Sequence, residues 1–477
     1  MNICPKAKEF KENGTISIKA EFCADERLAF CTKAFKRMVL KLYDVRLETG
    51  EEGIKLLYDE TLAENEYAIE GETVKASDIE GAGYGLSTML QLMEKTEDGF
   101  SLRNTEIKDA PDKDFRAFMT DLAREWHDFD ILLSYVDLCY LNKMKYLQLH
   151  FTDNQSWTLP LESFPEAATK GRCYKKEEIA YLVEYANEAG VELVPEFEGI
   201  GHSLELIKNY PEAFGNQYDE KIEDVSVENA VGENALGLVD NIMCIGRPGI
   251  FENIRKMLTE IAEMFKYSKY IHVGCDEAKH ENWNHCALCR DYMKRQGLSG
   301  TKATYSHFVE KIIDICISLG RTPIVWEGFP YEGTENISRD AVVVSWENIY
   351  QSGPQLIESG FNVINASWSP MYIVPLRKEP IKTICKWSVH SKNWRVHQVQ
   401  HHWGASMAYG GLELTPPEKV LGGMLCQWEC KLEEERDRVI LNLPQTCDRT
   451  WNAEDFYTAE EFDLAKDKII ALSEKLI

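Results

Sequence analysis

From Asp114 to Trp428, short apolar segments of β type alternate with amphipathic helical patterns, and this alternation restricts the possible folds more than any other feature. Alternating β and α segments form parallel sheets, and eight such units close into a (β/α)8 barrel. We therefore predict an α/β protein whose residues 111–477 form a TIM barrel, with the last helices packed outside. The predicted strands are 115–122, 146–151, 191–197, 270–273, 322–327, 341–346, 361–367 and 422–428. The predicted helices are 129–142, 175–189, one beginning at Ser203, 250–266, 302–319, 352–359, 433–450 and 458–475.

Residues 1–110 do not follow this alternation and are predicted to form a separate small α+β domain. Apolar residues in its last segment fall on one helical face: Leu86, Met89, Leu90 and Met93. The glycines before that helix lack the Lys-Ser/Thr pair and the βα unit of phosphate-binding loops, so no cofactor is predicted. The predicted elements are short strands at 38–43 and 53–58, a hairpin at 67–75 turning at Gly71, and a helix within 81–93.

The stretch Tyr270-Ile-His-Val-Gly-Cys-Asp-Glu277 places two adjacent carboxylates directly after a strand. Consecutive strand residues point to opposite faces, so both side chains reach one pocket only where the chain turns into a loop. A carboxyl group buried beside another charge has a raised pKa and can act as a general acid at neutral pH. The dipeptide alone carries little information, because Asp-Glu also occurs at 25–26, 59–60 and 219–220.

The other strand ends carry carboxylates, histidines and tryptophans, and barrels of this class hold their sites at those ends. Apolar sugar faces stack on aromatic rings while sugar hydroxyls bond to carboxylates, so the set indicates a carbohydrate site. One tryptophan at a strand end is more often core packing, and one histidine is more often structural, but four tryptophans on one face favour a site. The candidates are Asp121, Arg124, His150, Asp153, Glu196, Glu198, His202, Asp276, Glu277, Trp326, Glu327, Trp346, Glu347, Trp368, Tyr372, Trp428 and Glu429.

Several blocks resemble glycoside hydrolase family 20, the β-N-acetylhexosaminidase family, and together they cover nearly the whole chain. The resemblance implies a small accessory domain followed by a catalytic barrel. It also implies a retaining, exo-acting enzyme that releases terminal N-acetylglucosamine or N-acetylgalactosamine from β-linked oligosaccharides or glycoconjugates, without a cofactor. In this family the nucleophile belongs to the substrate, and an oxazolinium intermediate follows. The blocks are 83–92 leading into 109–124, His150-Phe-Thr-Asp-Asn-Gln-Ser-Trp157, Pro195-Glu-Phe-Glu-Gly-Ile-Gly-His-Ser203 and His272-Val-Gly-Cys-Asp-Glu277.

The resemblance assigns the catalytic roles to five residues. Glu277 is the general acid and then the base for water, and Asp276 holds the acetamido N–H and stabilises the oxazolinium. Tyr372 donates to the acetamido oxygen. Asp153 and His202 form a relay behind the general acid.

The same resemblance implies the substrate-binding residues. Three tryptophans enclose the acetamido methyl group, an arginine grips hydroxyls of the terminal sugar, and two further polar residues are candidates. The three tryptophans are Trp326, Trp346 and Trp428, the arginine is Arg116, and the two further candidates are Glu429 and His150.

Two departures from the family pattern leave the sugar open. The family commonly has aspartate two residues after the pocket tyrosine and glutamate two residues after the last tryptophan, where this chain has Val374 and Cys430. A terminal N-acetylgalactosamine, a substituted N-acetylglucosamine, a disaccharide-releasing enzyme like lacto-N-biosidases and a non-catalytic sugar-binding relative all stay open. Segment 374–421 is the candidate source of replacement groups, through Trp387, Trp394, Arg395, His401 and His402.

Charge and cysteine content bear on partners and location. The formal net charge of −26 disfavours nucleic acid and anionic membranes as partners. The first ten residues lack the apolar core of a secretory signal, and no run of about 18 apolar residues suggests a membrane span. The fourteen cysteines lie largely in apolar runs, where free thiols are common, so a reducing, cytoplasmic location is predicted. The oligomeric state stays open.

A metal site is considered at Cys286-Ala-Leu-Cys289, which has His280 and His285 nearby. A Cys-x-x-Cys motif without a second pair is weak support for zinc. Ordinary free thiols are the favoured interpretation, and no metal is assigned.

Overall fold

The computed structural model describes residues 3–218, 242–375, 395–398, 410–414, 416–452 and 457–477. A mixed sheet with two helices precedes a closed barrel of parallel strands surrounded by helices. Asp109 ends the last strand of the mixed sheet and Phe115 begins the first barrel strand. A domain division at residue 110 remains our proposal. Within the described ranges, no helix combines the length and apolar character needed to cross a membrane.

The N-terminal part forms one eight-stranded sheet. Its strands are β1 (Glu9–Lys19), β2 (Glu21–Ala24), β3 (Glu48–Thr49), β4 (Ile54–Tyr58), β5 (Tyr67–Glu70), β6 (Thr73–Ala76), β7 (Met93–Lys95) and β8 (Gly99–Asp109). Their order is β1-β8-β5-β6-β4-β2-β3, with β7 paired to β8. Helices α1 (Thr32–Tyr43) and α2 (Ile79–Leu92) pack together, and α2 covers β5 and β6. The predicted hairpin is confirmed, and its turn residue Gly71 has φ +60°.

The predicted strand at 38–43 is wrong, because these residues form the last turns of α1. The helix buries Phe35, Met38, Val39 and Leu42, which follow one another at helical spacing. The apolar run taken alone fits a strand, whereas the buried positions upstream of it show the helical period. The helical period therefore extends through residues 38–43, and the buried face of α1 packs on α2.

The barrel consists of eight parallel strands, as predicted. They are β9 (Phe115–Asp121), β10 (Tyr146–His150), β11 (Glu192–Gly199), β12 (Tyr270–Gly274), β13 (Thr322–Trp326), β14 (Val342–Ser345), β15 (Asn362–Asn365) and β19 (Val420–Gln427). Pairing of β19 with both β15 and β9 closes the barrel. Between β15 and β19 the structure contains β16 (Tyr372–Ile373), which pairs with β19, and the hairpin β17 (Arg395–Gln398) and β18 (Gly410–Glu413).

Helices surround the barrel, and the eight predicted ones are present together with three that were not predicted. In chain order they are α3 (Phe129–Leu141), α4 (Lys176–Glu188), α5 (Leu204–Asn209), α6 (Pro211–Phe214), α7 (Ile250–Met264), α8 (Ala287–Gln296), α9 (Thr301–Ser318), α10 (Gly353–Glu358), α11 (Trp368–Met371), α12 (Leu432–Trp451) and α13 (Ala459–Ser473). The three that were not predicted are α6, α8 and α11. The two C-terminal helices pack on each other, and α12 also packs on β9 and β19.

The amino-terminal end of the barrel interior is filled by aromatic side chains. Phe115 stacks on Tyr146 with ring centroids 4.5 Å apart, and Tyr270 meets both rings edge-on. Each of these residues begins its strand. The interior is therefore a packed core at this end, and space for a ligand lies at the carboxyl ends of the strands, as in other barrels of this class.

Candidate active site

The two adjacent carboxylates after β12 lie beside a histidine from the loop after β11. His202 Nε2 lies 3.4 Å from Glu277 Oε2 and 3.9 Å from Asp276 Oδ2. The other ring nitrogen, Nδ1, lies 3.2 Å from Asp153 Oδ1. The side chain of Glu277 is 42% exposed, whereas that of Asp153 is 1% exposed. A chain of ionisable groups therefore leads from the barrel mouth into the protein interior.

The charges along this chain are set by its neighbours. Burial disfavours the imidazolium of His202, but the carboxylates of Asp153, Glu277 and Asp276 outweigh burial and raise the pKa of His202 well above its ordinary value. Burial also disfavours the ionised form of Asp153, yet Arg124 and His202 hold the pKa of its carboxyl well below its ordinary value. At neutral pH an imidazolium held by a carboxylate thus faces Glu277 and can donate a hydrogen bond to its ionised form.

Asp276 lies deeper than Glu277, with 13% of its side chain exposed. Burial raises the pKa of Asp276 to about 7; the charges of Glu277 and Glu196 act in the same direction, and His202 opposes them. Its Oδ1 atom is buried and has no hydrogen-bond partner within the described part of the chain. An unsatisfied buried acceptor costs about 1–3 kcal/mol. This oxygen is therefore suited to accept an N–H from a ligand.

The chain of charged groups continues behind the pocket. His150 Nε2 lies 3.0 Å from Asp153 Oδ2, and its Nδ1 lies 3.0 Å from Glu196 Oε2. Glu196 Oε1 in turn accepts a hydrogen bond from Trp326 Nε1 at 2.6 Å. The expectation that His150 binds substrate is wrong, because both of its ring nitrogens already lie beside buried carboxylates. His150 is a positioning residue that fixes Asp153.

Four aromatic side chains converge at the carboxyl ends of the strands. The ring of Trp326 lies 6.4 Å from that of Trp346 and 5.6 Å from that of Trp428, measured between centroids. Tyr372 lies 6.0 Å from Trp346 and 6.1 Å from Trp428. The residues predicted from separate strands thus form one aromatic cluster, and Trp368 packs against it.

A further charged pair lies next to this cluster. Arg124 Nη2 lies 2.6 Å from Asp153 Oδ2, and its Nε lies 3.4 Å from Glu429 Oε1. Its guanidinium carbon lies 5.3 Å from the centroid of the Trp428 ring. The side chain of Glu429 is 55% exposed, so this pair presents hydrogen-bonding groups at the barrel mouth. Arg124 was among the strand-end candidates but had no assigned role; its place in the loop after the first strand was the available signal.

The prediction that Arg116 grips the sugar is wrong. Arg116 is the second residue of β9 and lies at the amino-terminal end of the barrel, fully buried. Its guanidinium donates to the carbonyl oxygens of Lys143 at 3.0 Å and Lys113 at 2.5 Å, and to the hydroxyl of Tyr84. The position joins the barrel to α2 of the N-terminal sheet layer. Arg116 and Arg124 flank the same sequence block, and only the direction of the strand shows which of them reaches the barrel mouth.

The two positions that depart from the family pattern are not equivalent. Cys430 is fully buried, and its Sγ lies 3.7 Å from Arg438 Nη1 on α12. Val374 is half-buried, and its carbonyl oxygen accepts a hydrogen bond from the same guanidinium at 2.8 Å. The carboxylate that reaches the barrel mouth is Glu429, whose φ of +58° turns the chain just after Trp428. Of the proposed replacement groups, Trp387, Trp394, His401 and His402 lie outside the described residues, as does the Arg395 side chain.

Two buried glutamates support the site without having been assigned a role. Burial and the neighbouring Asp276 raise the pKa of the Glu198 carboxyl well above its ordinary value. Glu327 accepts hydrogen bonds from the backbone amides of Asn348, Tyr350 and Gln351 at 2.9–3.0 Å. That carboxylate fixes the loop that follows Trp346. Both glutamates occupy predicted strand ends, but a spacing pattern does not distinguish supporting from reacting carboxylates.

Comparison with known proteins places these features in a family. The sequence profile of Glycosyl hydrolase family 20, catalytic domain, matches residues 114–452. A β-hexosaminidase of Porphyromonas gingivalis is 24% identical over 324 residues, which are 64% of this chain and 38% of that protein. A β-hexosaminidase of Akkermansia muciniphila is 28% identical over 355 residues, covering 69% of each chain. The match thus spans well under half of the first relative and about two thirds of the second.

Solved structures share the fold. The chain is similar to a GH20 exo-β-N-acetylglucosaminidase from Vibrio harveyi, solved in complex with N-acetylglucosamine, with a TM-score of 0.77 and 19% identity. That likeness covers 99% of this chain and 77% of the Vibrio chain. It extends over the N-terminal sheet layer as well as the barrel.

Proposed function

Because the chain belongs to glycosyl hydrolase family 20, we propose that it is a retaining, exo-acting β-N-acetylhexosaminidase that releases terminal N-acetylglucosamine or N-acetylgalactosamine from β-linked glycans. The observation that carries the proposal is the group formed by Glu277, Asp276 and the His202–Asp153 pair. One carboxylate is exposed beside an imidazolium, and its neighbour is buried with an oxygen that has no hydrogen-bond partner among the described residues. This asymmetry suits an acid catalyst and a group that orients the substrate.

Glu277 is the proposed general acid. It protonates the glycosidic oxygen as the bond from C1 to that oxygen breaks, and it becomes a carboxylate in that step. The imidazolium of His202, 3.4 Å away, stabilises the new negative charge. In the second half of the reaction the same carboxylate takes a proton from the water that attacks C1, which restores the starting state.

Asp276 is the proposed partner of the acetamido group. Its unpartnered Oδ1 accepts the acetamido N–H, which aims the acetamido oxygen at C1. That oxygen forms a bond to C1 as the leaving group departs, and the ring so formed carries positive charge next to the Asp276 carboxylate. Electrostatic stabilisation of this kind is commonly the largest contribution to catalysis.

The aromatic cluster is the proposed acetamido pocket. Trp326, Trp346 and Trp428 would enclose the methyl group, and the Tyr372 hydroxyl would donate to the acetamido oxygen. The support is that all four rings meet within 6.4 Å of a neighbour, between centroids, at the strand ends. Enclosure holds the acetamido group in an attack geometry and excludes water.

Arg124 and Glu429 are the proposed contacts to the hydroxyls of the terminal sugar. Both reach the barrel mouth beside Trp428. They would take the parts first assigned to Arg116 and to the position now occupied by Cys430. Val374 offers no carboxylate there. Discrimination between the two N-acetyl sugars is therefore expected to be weak.

The test is a panel of aryl β-glycosides carrying N-acetylglucosamine, N-acetylgalactosamine, glucose, or a disaccharide that ends in N-acetylglucosamine. Turnover is expected for the two N-acetyl monosaccharides and not for glucose, because the glucoside lacks the internal nucleophile. Glu277→Gln is expected to lower kcat/KM by about 10²–10⁴-fold. Glu281→Gln makes the same charge change on the same loop, with a side chain that is 72% exposed, and should leave kcat/KM unchanged.

Four outcomes would contradict the assignment. Equal hydrolysis of the glucoside, or failure of a thiazoline analogue of the oxazolinium to inhibit, would exclude substrate assistance. Exclusive turnover of the disaccharide glycoside would instead identify a disaccharide-releasing enzyme. Binding without turnover across the panel would identify a non-catalytic relative.

A reducing compartment is the proposed location. Thirteen cysteines are free in the part of the chain that the structure describes, and most are buried. Free thiols at this density are typical of proteins kept in a reducing environment. Alkylation in intact cells, followed by mass spectrometry, should find partly exposed thiols such as Cys173 reduced; widespread disulfides would contradict the proposal.

A further inference from the structure

A second cluster of reactive side chains lies outside the active site. The thiols of Cys244, Cys286 and Cys289 are free and fully buried, and their sulfur atoms all lie within 4.8 Å of one another. Cys244 Sγ is 3.7 Å from Cys286 Sγ and 3.4 Å from Cys289 Sγ. The Cys-x-x-Cys pair at the start of α8 therefore has a third member from a segment 42 residues earlier.

The spacing of the three sulfur atoms does not fit a disulfide. A disulfide bond is about 2.05 Å long, and both measured separations are well above that. In a tetrahedral zinc site with bonds of about 2.3 Å, two sulfur ligands lie about 3.8 Å apart. Separations of 3.4 and 3.7 Å come close to that value without a metal to hold them.

A backbone amide points at one of the sulfur atoms. The amide of Gln217 donates to Cys286 Sγ at 3.2 Å. Hydrogen bonds of this kind stabilise thiolates rather than thiols, and Cys286 and Cys289 also lie at the amino-terminal end of α8, which favours negative charge.

We propose that Cys244, Cys286 and Cys289 bind one Zn²⁺ as thiolates, with a water molecule as the fourth ligand. Three thiolates in a tetrahedral arrangement suit zinc better than Mg²⁺ or Ca²⁺, which prefer oxygen ligands. Among the described residues, no histidine, carboxylate or further cysteine joins the three within 4.8 Å. His280, considered from sequence, instead pairs through Nδ1 with Thr301 at 3.0 Å.

The zinc would fasten together the loops that carry the catalytic groups. Cys244 donates its amide to the Phe214 carbonyl at 2.7 Å, and its neighbour Met243 donates to Ile200, two residues before His202. On the other side, Trp283 Nε1 donates to the Met243 carbonyl at 3.0 Å, in the loop that follows Glu277. One metal ion would thus cross-link the loops after β11 and β12. We assign it a stabilising role, since its ligands lie outside the pocket.

The first test is metal content. Protein made in zinc-supplemented cells and purified with a reductant, without chelator, should contain about one zinc per chain by inductively coupled plasma mass spectrometry. Cys244→Ser and Cys286→Ser should each lose the zinc. Cys139→Ser removes another fully buried thiol, in α3, and should retain it. Wild-type protein that holds no zinc, and binds none when it is added, would overturn the proposal.

A second test uses only the wild-type protein, in case the serine variants do not fold. Cobalt-substituted protein should show the near-ultraviolet thiolate-to-cobalt absorption, and mercurial modification of the thiols should release the metal to a chromophoric chelator. Removing the metal should lower the midpoint of thermal unfolding, and Zn²⁺ but not Mg²⁺ should restore it. Equal midpoints with and without zinc, or an intact mass showing a Cys244–Cys289 disulfide, would refute the site. These readouts do not depend on which glycoside the active site cleaves.

Discussion

Backbone conformations of positive φ concentrate at the barrel mouth. Six of the nine non-glycine residues with positive φ among those described lie in loops after barrel strands: Ile200, His202, Cys275, Glu277, Asn348 and Glu429. Each such conformation costs on the order of 1–3 kcal/mol. His202, Glu277 and Glu429 are themselves side chains of the proposed site. The strain therefore accompanies the turns that bring neighbouring residues of a strand end into one pocket.

The raised pKa of the Asp276 carboxyl should lower the stability of the folded protein at neutral and higher pH. The pKa of its carboxyl is about 7 in the folded protein and ordinarily 3.8. The folded state therefore binds more protons between these values, and stability falls as the pH rises from 3.8 to 7. Asp276→Asn should remove this deficit and stabilise the protein at pH 8 by up to about 4 kcal/mol. Urea unfolding should show a gain that shrinks as the pH falls toward 4; an equal gain at both pH values would contradict this account.

The same variant should be a poor catalyst. Asparagine cannot stabilise the oxazolinium by charge, so kcat should fall by roughly 10²-fold or more. In the parent enzyme, kcat/KM should decline as the pH falls through about 7, because Asp276 must be ionised to act. A pH–rate profile of the parent that stays flat from pH 8 to pH 5 would exclude this role.

Variants of Arg116, in the first barrel strand, and of Arg124, in the loop after it, test directly which arginine contacts the sugar. Arg124→Gln should raise KM by roughly 10-fold or more, since a charged hydrogen bond contributes about 1.5–3 kcal/mol. Arg116→Gln should leave KM unchanged but lower the free energy of unfolding by about 2–4 kcal/mol, because buried carbonyl oxygens lose their donor. Michaelis constants and urea unfolding, measured on both variants, separate the roles. The reverse pattern would restore the first assignment.

Loops after neighbouring strands are interlocked around the Asp276 backbone. A Cβ atom added at Gly328, after β13, would lie 2.7 Å from Asp276 Cα, and one at Gly201, after β11, would lie 2.6 Å from the Asp276 carbonyl oxygen. Such distances are far below normal contact. The absence of a side chain at both positions allows three loops to meet at the carboxylate pair. Glu327, whose carboxylate binds three backbone amides of the next loop, extends this support to β14.

Gly328→Ala should therefore damage catalysis more than folding. The methyl group would displace the Asp276 backbone, and a shift of even about 1 Å in a reacting group can cost about 10²-fold in rate. Activity assays should show this loss in kcat with a smaller change in the midpoint of thermal unfolding. Gly83→Ala in α2 is the control, because its Cβ would meet nothing within 4 Å and alanine favours helices. Unchanged kcat in Gly328→Ala would mean that the loops can accommodate the methyl group without displacing Asp276.

A buried polar cluster joins the N-terminal sheet, the barrel and the C-terminal helix α12. Asp109 accepts hydrogen bonds from Trp451 Nε1 at 3.1 Å and from the Tyr67 hydroxyl at 3.0 Å. Lys143 donates to the same hydroxyl at 2.9 Å, and its Nζ lies 3.9 Å from Asp109 Oδ2. Burial raises the pKa of Asp109 and lowers that of Lys143 to about 8. This cluster thus links all three parts of the chain around one buried charge pair.

Removing one partner of this pair should lower the free energy of unfolding, and the active site, which is far away, should be unaffected. Lys143→Met should lower the free energy of unfolding by about 3–5 kcal/mol, because it leaves the Asp109 charge buried without compensation. The matched control is Lys11→Met, which breaks an exposed pair with Glu106 and should cost at most about 1 kcal/mol. In urea unfolding, a similar small cost for both variants would show that the cluster contributes little. In folded Lys143→Met, KM should remain that of the parent.

Much of the site was predictable because strand ends of a barrel meet at one face. Once the alternation of apolar segments placed eight strands, Glu277, Asp276, His202 and Asp153 had to converge, and their spacing along the chain did not matter. Arg116 and Arg124 were harder to separate, because they lie eight residues apart on one strand and its loop, and the resemblance assigned the sugar contact to Arg116.

Periodicity along the chain determined the barrel, since the fold class follows from local patterns that each strand and helix carries in its own residues. Proximity between distant segments could not follow from the same patterns. The joining of Cys244 to Cys286 and Cys289 and the pairing of Glu429 with Arg124 both depend on contacts across the fold. Turns of positive φ and the space left by glycines set those contacts, and neither leaves a periodic signal in the sequence.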